Sequence, residues 1–235
     1  MKLSDWAQIH THILHLEQEG LVTRTFRRLD PERQETILTA ILDEAVEKGP
    51  TALNIKQVAG RAGVSVGSLY TYFPNREGML AFAVELCVRF VNDAFDEFSP
   101  YLLALPLREA LTAYLAGGIE WSRTYAGLLK LFARAAYHGD AELVDQLVRP
   151  IATRLREMVH DMLANAAKRG EIRDDVDLEA MSRVVHALTI AVGDSQLLPY
   201  LNTYFQVTGQ EMPPDRVLEA LLTLVERGIG MEDGE

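Results

Sequence analysis

Residues 54–76 read NIKQVAGRAGVSVGSLYTYFPNR and contain no Asp or Glu, in a chain whose formal net charge is −11. Asn54, with Gln57 three residues on, starts a helix as a capping-box-like pair does. Gly63 supplies the left-handed residue of a sharp turn. Ser65 then caps a second, very short helix that runs to about Phe73, and Pro74-Asn75 breaks the chain again. Ala59 is small where the two helices must approach, and Val64 and Leu69 pin them together. The pattern predicts a helix-turn-helix. On its second helix Ser65, Val66, Gly67, Ser68, Thr71 and Tyr72 are left to face base edges and sugars, a narrow set suited to a major groove roughly 12 Å wide. Tyr70 and Tyr72 offer hydroxyls to phosphate. Asn54 and Lys56 sit in the first turn of the preceding helix, where free amides also favour phosphate, and Arg76 clamps the opposite backbone. Phe73 is expected to anchor the unit in the core. A Gly-turned helix pair also occurs as plain packing in helical proteins, so this pattern taken alone leaves that alternative open.

The charge distribution favours the DNA reading. The chain has 235 residues, with 34 Asp and Glu against 23 Lys and Arg. Residues 1–76 carry nine of each sign, so residues 77–235 hold the entire excess of 11 negative charges. Such a body repels nucleic acid except at the end where its charge is relieved. Within 50–76 the charged residues are Lys56, Arg61 and Arg76. One cysteine, Cys87, excludes an intrachain disulfide and is spaced with Leu80, Val84 and Val91 for helix-core packing. Asp5 and the following histidines interrupt any signal-peptide core, and no apolar run reaches the ~20 residues of a membrane helix. A cytoplasmic protein without membrane contact is expected.

Around this segment the periodicity is helical throughout. Residues 3–19 place Trp6, Ile9, Ile13 and Leu16 on one face, ahead of a basic connector, 21–29, with Arg24, Arg27 and Arg28. Asp30-Pro31 opens a helix with the stripe Ile37, Leu38, Ile41, Leu42, Ala45 and Val46, stopped by Gly49-Pro50. A long helix begins at Asn75 and runs to about Phe98, ended by Ser99-Pro100. Further helices are predicted near 106–124, 126–138, 141–169 (kinked or broken at Pro150), 177–200 and 214–228, before an acidic MEDGE tail. Nothing alternates with period two, so the fold class is all-α.

The stretch 62–80, AGVSVGSLYTYFPNREGML, resembles the DNA-binding signature of the tetracycline-repressor-type (TetR) family of bacterial transcriptional regulators. Ile37, Ala40 and Gly49 match that family's first helix, and Val58-Ala59 its second, so the likeness covers about residues 33–82. It implies DNA contacts at Ser65, Gly67, Tyr70, Thr71 and Tyr72, with Arg76 where the family usually has lysine. Ala45 stands where Phe is common and Asn54 where Thr is common. The implied architecture is an N-terminal extension (1–29), a helix-turn-helix DNA-binding domain (30–77) and a helical ligand-binding and dimerisation domain (78–235). The family dimerises through its last two helices, here 177–200 and 214–228. The implied function is a homodimeric repressor on a pseudo-palindromic operator in double-stranded DNA, released by a small, largely apolar effector. An activator, or a helical interaction module without an effector, is the alternative.

From about residue 100 onward the resemblance is architectural. Leu178, Met181, Val184, Val185, Leu188 and Val192, with Ala187 and Ala191, form one apolar stripe, and Val217, Leu218, Leu221, Leu222 and Val225 another. Two such helices from each subunit suit a four-helix interface. Tyr114, Trp121, Tyr125, Phe132, Tyr137, His138, Met158, Met162 and His186, with His160, are candidates to line an effector pocket, although packing or exposure explains any one of them as readily. His10, His12 and His15 suggest a metal, but His10 and His12 project about 200° apart on a helix and no ligand set is complete, so no metal is expected. No cofactor motif, nucleophile elbow or phosphate loop is present, and no enzyme is expected. The basic connector is an expected arm for minor-groove or phosphate contacts.

Overall fold

The computed structural model describes residues 6–49, 52–139 and 141–230. Residues 3–5, Pro50 and the MEDGE tail lie outside the described residues, as does the side chain of Trp6. Among the described residues there is no β-strand, only two isolated bridges. In chain order the helices are α1 (Trp6–Gln18), α2 (Arg24–Arg27), α3 (Pro31–Lys48), α4 (Ile55–Ala62), α5 (Val66–Tyr72), α6 (Arg76–Ala104), α7 (Leu107–Thr124), α8 (Ala126–His138) and α9 (Ala141–Leu143). A π-helical turn, Val144–Val148, leads into α10 (Arg149–Lys168), followed by α11 (Leu178–Leu197), α12 (Pro199–Phe205) and α13 (Pro214–Ile229).

These helices form two compact units. The first holds the chain up to Ala94 together with Tyr125–Ile151, and the second holds Phe95–Thr124 and the chain from Ala152 onward. In the first unit α3 opens as the sequence dictates, with the Asp30 side chain accepting from the Arg33 amide and Pro31 at the first position. Its stripe Ile37, Leu38, Ile41, Leu42 and Ala45 is buried. The Arg134 guanidinium of α8 donates to the Val46 carbonyl at 3.0 Å, where a cation complements the negative end of α3. The same group lies beside Gly49, whose φ of +87° favours glycine and where a Cβ would come within 2.8 Å of the Arg134 guanidinium and displace it. Cys87 is buried, and burial pushes its thiol up to about 12.

The N-terminal extension belongs to this unit. Ile9, Ile13 and Leu16 are fully buried. Asp93 on α6 receives the Gln8 amide at 2.8 Å and meets the His12 ring at 2.6 Å, while Arg89 holds Glu19. His10 and His15 are exposed, and no cluster of three metal-ligating side chains occurs among the described residues. Residues 21–29 are more than a connector. Thr23 caps α2, and Phe26 is buried against Phe82, Phe73 and Tyr72 at ring-centroid distances of 5.1, 5.3 and 6.0 Å.

The second unit closes around Leu111, Tyr114, Met158, Val159, Met162, Leu163, Val185 and Val225. The turn between α6 and α7 is fastened by α10 and the residues after it. Glu171 accepts the Leu107 amide at 2.8 Å, and Arg169 and Asn165 donate to the Leu105 and Leu103 carbonyls.

Two proline expectations are corrected and a third is given its geometry. Ser99-Pro100 does not end α6, which runs through Pro100 to Ala104. The lost donor and strain cost about 3 kcal/mol, but Leu102 beyond it is 1% exposed in the core and offsets that cost. The α-helix is interrupted next to Pro150, as expected. Pro150 lies at the second residue of α10, and the preceding turn widens to π geometry, with the Arg149 amide reaching the Val144 carbonyl. The predicted helix 177–200 is two helices. Leu198 takes extended dihedrals because Pro199 follows it, and Pro199 starts α12.

Candidate nucleic-acid interface

The local geometry of α4 and α5 follows directly from their caps. Asn54 Oδ1 accepts the Lys56 and Gln57 amides at 2.9 and 3.4 Å. Gly63 ends α4 at φ 62°, ψ 36°, the left-handed conformation expected of it. Arg33 reaches across from α3 to the Gly63 carbonyl at 3.0 Å and fixes the turn. Ser65 Oγ accepts the Ser68 amide at 3.0 Å and starts α5. Ala59 and Leu69 are buried and Val64 half-buried, so the two helices lock through the positions the sequence singled out. Phe73 is 1% exposed and anchors the far end.

Opposite these anchors, Asn54, Lys56, Ser65, Gly67, Tyr70 and Thr71 are exposed, and Val66, Ser68, Tyr72 and Arg76 are half-buried. Tyr70 stands out at 55% exposure. The hydroxyls on this face are already engaged locally: Ser65 and Ser68 pair at 2.8 Å, and Thr71 Oγ1 donates to the Ser68 carbonyl at 2.7 Å. These bonds hold the side chains in fixed rotamers on the exposed surface. Two expectations change. Two of the amides at the start of α4, those of Lys56 and Gln57, are taken by Asn54 and not open for phosphate. Tyr72 is as much packing as contact, since its ring meets Phe26 and Phe73 edge-on.

The cations are fewer than a count of the segment suggests. Arg61 makes two bonds to Glu47, at 2.9 and 2.6 Å, and lies 3.2 Å from the fully buried Glu44 carboxylate in an ion pair without hydrogen-bond geometry. Hydrogen bonding to Arg61 holds Glu47 below the usual carboxylate range. Arg61 therefore ties α4 to α3 and is spent on the fold. Arg76 lies on Glu77 at 3.0 Å, and Glu77 is held below the usual carboxylate range by its own backbone amide and by Arg76.

One support was not legible from motif spacing. Thr23, just ahead of α2, donates its amide to the Tyr72 carbonyl at 2.9 Å and its hydroxyl to the Thr71 carbonyl at 2.7 Å. The last carbonyls of α5, which have no partner within the helix, are thus satisfied by the N-terminal extension. The signal in the sequence was the acid-free stretch 20–29 with an isolated aromatic, Phe26.

The effector candidates divide between the two units. Tyr114, Met158 and Met162 lie in one apolar cluster of the second unit, with Trp121 on α7 and His186 on α11 half-buried. Burial raises the Tyr114 phenol well above its ordinary value, opposed by a hydrogen bond to Thr189. Burial and then Arg156 lower His186. Tyr125, Phe132, Tyr137 and His138 belong to the first unit, where Tyr125 packs on Phe90 and Tyr137 and His138 are exposed. The nine residues do not form one lining within either unit.

An all-α chain with a two-helix reading head of this kind has the form of a helix-turn-helix transcriptional regulator. Residues 37–82 match the family model described as bacterial regulatory proteins, tetR family, and residues 107–229 match that of the SbtR-like transcriptional regulator C-terminal domain. The second match spans more than half of the chain, which belongs to the TetR family of transcriptional regulators. It is similar to the HTH-type transcriptional repressor KstR2 of Rhodococcus jostii (strain RHA1), 26% identical over 150 residues, 62% of this chain and 72% of that one. It is also similar to the HTH-type transcriptional repressor KstR of Mycobacterium tuberculosis (strain ATCC 25618 / H37Rv), 28% identical over 145 residues, 61% of this chain and 62% of that one. A crystal structure of a TetR-family regulator from Rhodococcus sp. aligns with a TM-score of 0.53 at 26% identity, covering 84% of this chain and 98% of that one. The chain is a DNA-binding transcriptional regulator of a family without enzymatic activity. Among the described residues no helix is long and apolar enough to cross a membrane.

Proposed function

We propose that the protein is a cytoplasmic, homodimeric repressor that reads a pseudo-palindromic operator with α5 and releases it on binding a small, largely apolar effector. The observation that carries this reading is the exposed, acid-free face of α5, held rigid by Ser65, Leu69 and Phe73. Ser65, Val66, Gly67, Ser68 and Thr71 approach base edges, while Tyr70, Tyr72, Lys56 and Arg76 contact the backbone, with Asn54 fixing the first turn of α4. Half-sites about 34–36 Å apart match the two α5 helices of a dimer. Functionally the chain divides into 1–29, 30–77 and 78–235, a scheme that the packing units cut across.

The dimer surface is assigned to α11 and α13, through the part of the α11 stripe that its own core leaves exposed and a face of α13 outside its stripe. Val185, Val192, Leu221, Leu222 and Val225 are buried in their own core. The faces left free carry Val184 at 53% and Leu224 at 59% exposure, with exposed Ala187 and Ala220 beside them. Small residues next to single large ones suit close isologous packing. The effector site is assigned to the second unit, around Tyr114, Met158, Met162, Trp121 and His186. An effector with higher affinity for a conformer with another α5 separation drains the DNA-bound population.

The test is DNA binding by Tyr70→Ala and Arg76→Ala variants of the full chain, with Tyr72→Phe to remove that hydroxyl without its packing. Loss of binding with unchanged circular dichroism and dimer mass is expected for the Tyr70→Ala, Arg76→Ala double variant. Wild-type binding by the double variant would overturn the assignment of α5.

A further inference from the structure

We propose that α2 is a second DNA-contacting element, in which Arg24 and Arg28 bind backbone phosphates beside the end of α5. The proposal rests on the assignment of α5 as the reading helix and extends it to a site outside the helix-turn-helix.

Two acid-free stretches, 20–29 and 50–76, are separated in sequence by α3 with its Glu32, Glu35, Asp43, Glu44 and Glu47. The fold brings them together. Thr23 bonds to the carbonyls of Thr71 and Tyr72, and Phe26 packs against the rings of Tyr72 and Phe73. Arg24 follows Thr23 directly, so its Cα is held within a residue of the two carbonyls that end α5. Of the three arginines, Arg27 is half-buried and paired with Glu17. Arg24 and Arg28 are exposed and have no acidic partner among the described residues. Glu17 and Glu19, the nearest acids in sequence on the N-terminal side, are engaged by Arg27 and Arg89. With Arg61 spent on Glu44 and Glu47 and Arg76 lying on Glu77, the cations of the reading head itself are Lys56 and Arg76, the latter already paired. Adding Arg24 and Arg28 therefore doubles that set. Because Thr23 and Phe26 fix α2, these are contacts at set positions rather than those of a loose arm threading the minor groove.

The experiment measures the affinity of the full chain for a labelled random-sequence duplex of about 30 base pairs between 50 and 200 mM salt. Four variants, Arg24→Gln, Arg28→Gln, the double Gln variant and the double Lys variant, are compared with wild type after circular dichroism has shown them folded. Each phosphate contact contributes about 0.9 to the slope of log K against log salt, so the double Gln variant should be shallower by about 1.8. Over that fourfold salt range the wild type then loses about 12-fold more affinity than the double Gln variant. Each single variant should give half the change in slope, and the Lys variant should keep the wild-type slope, since lysine preserves the charge. A double Gln slope equal to wild type overturns the proposal, and so does a Lys variant as shallow as Gln. Salt-insensitive binding by wild type fails the parent assignment of α5 instead, a distinct result.

Discussion

Replacing Phe26 tests whether the N-terminal extension is part of the reading head or an appendage. The ring is 1% exposed and touches three others, on α5, on Phe73 just past it and on α6. Removing a fully buried Phe to Ala costs about 3–5 kcal/mol, because the site cannot collapse around the void. Phe26→Leu keeps most of the volume and forfeits mainly the ring–ring contacts, about 0.5–1.5 kcal/mol each. Three such contacts sum to about 1.5–4.5 kcal/mol, so Phe26→Leu should be milder than Phe26→Ala by only about 1 kcal/mol. Urea unfolding followed by circular dichroism reads this as a lowered midpoint at constant slope. Hydrogen exchange gives the local version: the Thr23 amide, bonded to the Tyr72 carbonyl, should lose protection in Phe26→Ala before the buried amides of α3 do. A Phe26→Ala cost below about 1 kcal/mol, no more than an ordinary substitution, with Thr23 still protected, would refute the reasoning.

Other outcomes follow from single sites. Gly63 has φ 62° and open space where a side chain would begin, so Gly63→Ala costs only the backbone strain, about 1–2 kcal/mol, and Gly63→Asn less; thermal unfolding measures both. Cys87 should resist iodoacetamide at pH 8 in the folded chain and react once urea exposes it, because its thiol is raised to about 12; rapid labelling of the native protein would contradict this. His186 is lowered from 6.5 by burial and by Arg156, so the unfolded chain takes up that proton first. Stability is then fully present above about pH 6.5 and falls as pH drops toward the folded value. A His186→Gln variant should flatten that part of the pH–stability curve, and an unchanged curve would show that other groups govern it.

The reading head was largely legible because caps and turns are local. Asn54, Gly63, Ser65 and Phe73 act within a few residues of themselves, and each performs the role its type and position imply. Helix ends at prolines were less legible. The end at Pro100 depends on whether distant packing, such as that of Leu102, offsets a lost hydrogen bond. Periodicity also gives each helix an apolar face without naming what covers it. Most of the stripes of α11 and α13 proved to face their own core, with Val184 and Ala187 left exposed and buried Ser182 and Thr189 hidden among the apolar positions. The clamp of Thr23 on α5 joins residues 48 positions apart, beyond the reach of any spacing argument. The effector residues were the least legible, since aromatic and Met residues serve cores and pockets alike.

The most direct measurement of the central claim is selection of duplexes bound by the full chain from a random pool, followed by footprinting of the enriched sequence. The expected result is a pseudo-palindrome protected on one face in two major grooves, its half-site centres about 10–10.5 base pairs or a multiple apart, and lost when Tyr70 and Arg76 are replaced by Ala. Failure to enrich any sequence at low salt, or a footprint that survives the double replacement, would contradict it.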